Sequence, residues 1–128
     1  MAPPPAAGGE FAPASDTSKL LAWLGYLIPI VALVAILIEP YKKEKFVRLH
    51  AIQELGLAVG YIVAWIVLIV LQTILAVIHL GVLGLILSLL YFVLWIGYVV
   101  LAIMGIINAA GGKRWEMPIV YGFVKNYI

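Results

Sequence analysis

Between Leu55 and Gly112 the chain runs 58 residues without an Asp, Glu, Lys or Arg, and Leu20 to Ile38 is a second uncharged run of 19. Few folds can absorb such stretches. A helix rises about 1.5 Å per residue and a bilayer core is about 30 Å thick, so the short run suffices for one crossing and the long one for two. With 66% of residues hydrophobic and 11% charged, a water-soluble domain would lack the polar surface to cover itself. The expected fold class is therefore all-α, an integral membrane bundle of three transmembrane helices over about 20–38, 55–78 and 85–108.

The segments around these spans complete the plan. Residues 1–18 are rich in Pro, Ala and Gly, have little apolar periodicity, and read as a disordered tail. They are not a signal peptide, since no basic region precedes the first apolar stretch. Asp16, Thr17 or Ser18 is expected to cap the first helix. Pro29 predicts a kink inside it, and Glu39-Pro40 its end. The second helix starts near Val47 at the headgroups, and a tight hairpin is expected over His79-Leu80-Gly81-Val82-Leu83-Gly84. Gly111-Gly112 suits the left-handed close of the third helix. Residues 113–128 form a separate tail, in which Pro118 and the apolar positions after it predict a short interfacial helix.

Three crossings place the 39–54 connector and the C-terminal tail on one side. Those regions hold Lys42, Lys43, Lys45, Arg48, Lys113, Arg114 and Lys125, against Lys19 alone on the other. Positive residues favour the cytoplasmic face, so the reading is a multi-pass protein of a cytoplasmic (inner) membrane, N-terminus outside and C-terminus cytoplasmic. Lys42, Lys43, Lys45, Lys113 and Arg114 are the candidates for lipid headgroup contact.

Chemistry is sparse. Arg48, His50, Gln53 and Glu54 form the densest polar group, at the mouth of the second span. His50 and Glu54 share a helix face and Arg48 points away. The group reads as a proton-handling site or as a contact with a neighbouring helix or subunit, with Glu54 where water still reaches. Gly56 and Gly60 form a GxxxG pattern that permits close helix approach. Gln72, in mid-membrane, needs a hydrogen-bond partner, and Trp115 sits in the charged turn after the third span. Tyr61, Trp65, Leu68 and Gln72 fall on one stripe of the second span, and Tyr91, Trp95 and Tyr98 on one of the third. Such stripes pack helices or line a lipid or quinone pocket. There is no Cys, and His50 and His79 lie at opposite ends of one span, so no metal site is expected. Nothing implies a cofactor, a nucleic-acid partner or an enzyme: the only Asp is in the tail, and Ser88 has no base in helical reach.

VRLHAIQELGL and INAAGGKRWEMPIVYGFVKNYI resemble the two signature regions of a family of small prokaryotic membrane proteins of unknown function related to the chloroplast import component Tic-twenty. Phe46, Val47, Arg48, His50, Ala51, Gln53, Gly112, Lys113, Trp115 and Pro118 carry the resemblance, which covers about 19–128. It implies a three-span member of a group whose plastid relatives have four spans, and it supplies no activity. The functional expectation is a non-enzymatic accessory subunit packed against a larger membrane complex, an energy-converting one among the candidates. A translocon-like or channel-forming homo-oligomer and a lipid or quinone binder are the alternatives. The expected partners are membrane lipids and other membrane subunits.

Overall fold

The computed structural model describes residues 11–128; the first ten positions of the expected tail lie outside it. Among the described residues there are five α-helices and no strand: α1 (Asp16–Leu27), α2 (Pro29–Ala35), α3 (Lys45–Val77), α4 (Gly84–Ala110) and α5 (Val120–Val124). α3 and α4 are each long and apolar enough to cross a membrane.

The first uncharged run is not one helix. Ile28 is extended (φ −127°, ψ 99°), the conformation that a following proline favours, and Pro29 opens a new helix at its first position. The expected kink is thus a complete break. The resulting helices of 12 and 7 residues are about 18 and 10 Å long, short of a 30 Å core. They fold back on each other instead. A Cβ on Gly25 would lie 3.1 Å from that of Ala32, residues that an unbroken helix would hold about 10 Å apart.

The start of α1 also differs from expectation. Ser15 is its cap: the extended Ser15 accepts at Oγ from the Ser18 amide at 3.2 Å, with Asp16 in the first turn beside the positive end of the helix dipole. Ser18 is buried, and its hydroxyl donates to Glu44 Oε2 at 2.8 Å. The Ala14 amide donates to Glu44 Oε1 at 2.9 Å, and the Arg114 guanidinium lies 4.0 Å from the Phe11 ring centroid. Positions 11–18 are therefore tied to the connector and to the segment after α4. The start of α1, the start of α3 and the end of α4 meet at one end of the molecule, the cap. The expected three-span bundle is thus not confirmed, since of its three spans only those in α3 and α4 form helices long enough to cross a membrane.

Both ends of the α3–α4 hairpin are closed by the same left-handed motif. After α4, Gly112 (φ +70°) allows its amide to reach Ala109 O at 3.0 Å and Lys113 N to reach Asn108 O at 2.9 Å. After α3 the left-handed residue is His79 (φ +63°), with its amide on Ala76 O at 3.2 Å and Leu80 N on Leu75 O at 2.8 Å. The hairpin falls at 79–84 as the two glycines suggest, yet neither glycine fills the left-handed position. Gly81 begins a single 3-10 turn that leads into α4.

Burial is concentrated at the cap. Eight of the nine buried residues of α3 lie between Phe46 and Leu57, and only Leu68 lies beyond. Ala22 and Tyr26 of α1 join Phe46, Val47, Leu57, Ala109, Trp115 and Met117 in one apolar core. α5 is shorter than expected because Ile119 turns left-handed (φ +68°) before it. Its Val120 and Val124 rest on Gly56 of α3, where a Cβ would meet them at 3.1 and 2.7 Å.

Candidate functional site

A hydrogen-bonded lock organises the cap. Gln53 and His50, a turn apart on α3, both point at the irregular segment that follows α4. Gln53 Nε2 donates to Trp115 O at 2.8 Å, and its Oε1 accepts from the Met117 amide at 2.6 Å. One side chain thus satisfies two buried backbone groups in a segment that has no ladder of its own. His50 Nε2 lies 2.8 Å from Lys113 O, which can only accept, so the proton sits on Nε2. Nδ1 then accepts from the Tyr26 hydroxyl at 2.9 Å. The imidazole is fully buried, with the Phe46 ring at 4.9 Å and the Tyr26 ring at 5.6 Å between centroids.

Tyr26 in turn lies flat against Gly105 of α4. A Cβ there would be 2.4 Å from the ring, so only glycine admits it. α1, α3, α4 and the 113–117 segment are joined through these few groups. Glu54 is enclosed as well, contrary to its expected place in reach of water: its Oε1 accepts from Tyr98 at 2.7 Å, and Oε2 has no partner among the described residues.

The remaining residues singled out from the sequence are spread around this lock. Arg48 faces away from it, as helical spacing implies, and donates to the carbonyls of Lys42 at 3.1 Å and of Tyr127. Lys45 Nζ holds Ile128 O at 3.0 Å. Lys42 and Lys43 pair with Glu39, and Arg114 with Glu116, at the surface. Lys113 gives its carbonyl to His50, and Trp115 is buried in the core. Gly56 is taken by α5, whereas a Cβ on Gly60 would meet nothing within 4 Å. Gln72 lies beside Gly84, opposite the start of α4. The two aromatic stripes meet across the hairpin, Tyr61 on Tyr98 at 5.0 Å and Trp65 on Tyr91 at 4.6 Å. Near them an apolar groove of about 390 Å³ opens sideways between α3 and α4, under Pro118 and Val120.

Sequence reasoning missed Tyr26 and Glu44. The signal for Tyr26 was present: it is the only tyrosine in its apolar run, and a buried hydroxyl requires a partner. Glu44 carried no comparable mark. Among the described residues no three His, Asp or Glu side chains gather where they could hold a metal ion.

Two long apolar helices, a polar lock at one end and an almost uncharged far end define a membrane-associated helical protein. The profile of the magnetosome magnetite crystal formation protein family matches residues 16–124, and the chain belongs to that family. No curated protein and no solved structure matches it. The membership corrects the resemblance to the Tic-twenty-related group. Of the positions behind that resemblance, His50, Gln53, Lys113, Trp115 and Gly112 are parts of the lock or of the turn that feeds it. Short motifs of this kind report a packing solution, which is weaker evidence of kinship than a match along 109 residues.

Proposed function

We propose that this chain is a structural component of the magnetosome membrane in magnetite crystal formation, crossing the bilayer twice through α3 and α4 with its cap on the cytoplasmic face. The distribution of basic residues supports this orientation. Lys19, Lys42, Lys43, Lys45, Arg48, Lys113, Arg114 and Lys125 are all eight of the chain's Lys and Arg, and all belong to segments that meet at the cap. The 78–84 hairpin has none. The positive-inside rule then applies without the exception that Lys19 makes in a three-crossing arrangement.

On this topology α1 and α2 dip into the cap-side leaflet and return. The opposite face of the membrane receives only the short hairpin, whose one ionisable side chain is His79. A surface of that kind offers no carboxylates to a mineral. The chain acts on crystal formation from within the membrane and from its cap, as a non-enzymatic accessory subunit. Its lock spends His50 and Gln53 on holding the cap rigid, and the outer faces of α3 and α4 are left to lipid and neighbouring subunits.

Thiol labelling tests the topology. In inside-out membrane vesicles, Thr17→Cys and Lys125→Cys should react with a membrane-impermeant maleimide, and Val82→Cys should stay protected. Protection of Thr17→Cys alongside labelling of Lys125→Cys would restore the third crossing. Native mass determination after mild-detergent extraction tests the role: bound unrelated subunits support it, and a closed homo-oligomer refutes it.

A further inference from the structure

The cross-section of this molecule changes along the membrane normal. In the cap half, four helices lie side by side, because α1 packs on the first turns of α3 and the last turns of α4, and α2 packs on α1 and α3. Tyr26, two residues before the break, contacts His50 and Gly105, so the tip of the α1–α2 pair lies close beneath the cap. Gly105 is six residues from Gly111, a depth of about 9 Å. In the far half only α3 and α4 remain. The outer faces of the short pair are apolar, with Leu27, Ile30 and Leu33 exposed and Leu37 exposed just after α2, so these helices displace lipid and do not stand in water. Ile119, Phe123 and Tyr127, four residues apart and 82, 80 and 67% exposed, add a further apolar edge at the level of Gly56.

A helix is about 10–12 Å across, so the α1–α2 pair enlarges the protein's footprint in one leaflet by on the order of 200 Å² and leaves the other unchanged. A two-leaflet sheet accommodates such an insert most easily where the enlarged leaflet is the outer one of a bend. We infer that the chain is a wedge that senses and favours membrane curved convexly toward its cap. The inference rests on the topology proposed above, which sets the two halves in opposite leaflets. It names a further function for the broken first helix. A segment that cannot cross the bilayer enlarges one side of it.

The test uses the full chain. Protein carrying a fluorophore at Val82→Cys is reconstituted into liposomes of mixed diameter and one lipid composition, and protein per unit lipid is read vesicle by vesicle. A single straight transmembrane peptide in the same vesicles provides the flat reference. The wedge should be about threefold denser on the smallest vesicles than on the largest, and there an impermeant quencher added outside should fail to reach the hairpin label. A density that follows the straight peptide would overturn the inference, and so would enrichment of chains with the hairpin outward. The topology fails separately: if Val82→Cys is labelled in inside-out vesicles while sorting persists with the cap outward, the wedge stands and the orientation in cells is reversed.

Discussion

From Phe46 to Leu57, nearly every turn of α3 is buried against three other segments and fastened by side-chain hydrogen bonds, whereas from Val59 to Ile78 only Leu68 is buried and aromatic rings make the contact with α4. The same helix therefore uses two kinds of cohesion. On the two-crossing topology proposed above, lipid tails are as apolar as leucine, so within the hydrocarbon nothing drives apolar faces together and packing alone must hold the hairpin. At the headgroups, water is close enough to make burial favourable, and unpaired polar groups are costly enough to enforce one geometry. Specificity accumulates at the cap.

Substitutions at the two ends should separate these modes. The largest loss is expected for Gln53→Leu, which leaves the Trp115 carbonyl and the Met117 amide buried without partners. A destabilisation of about 3 kcal/mol follows from the penalty for two such groups, measured by SDS-driven unfolding in mixed micelles. Gly105→Ala should cost about 2 kcal/mol, because its methyl group enters the Tyr26 ring and pushes α1 off α4. Tyr26→Phe should cost about 1 kcal/mol by removing the donor to His50 Nδ1. The smallest effect belongs to the far half: Gln72→Leu should change stability by less than about 0.5 kcal/mol, since its side chain packs beside Gly84 and fastens no backbone. A loss at Gln72 equal to that at Gln53 would break the contrast.

The long elements were legible because their cause is local. The uncharged run, the glycine-bearing turn at 79–84 and Gly111-Gly112 each announce a helix or its end without reference to the rest of the chain. The first run misled because length and hydropathy are the same for a straight 19-residue span and for two helices broken at Ile28. Proline marks the place, but whether it kinks or breaks a helix depends on what the far piece can pack against. Here Gly25 and Ala32 offer a close seat. His50, Gln53 and Glu54 were visible as a polar group, yet their partners are backbone atoms some 60 residues away and tyrosines on two other helices. No spacing rule connects such positions. His79 shows a subtler limit, as an imidazole occupies the left-handed position although Gly81 stands two residues further on.

The seating of Val120 and Val124 on Gly56 carries its own consequence. Gly56 and Gly60 together would form the shallow notch into which a second helix settles, and α5 already fills half of it. The carboxy-terminal arm thus occupies that part of the notch itself, and any helix packing there would have to displace it first. Helix pairing through this face would be an exchange, in which release of the arm from Gly56 comes before any new contact.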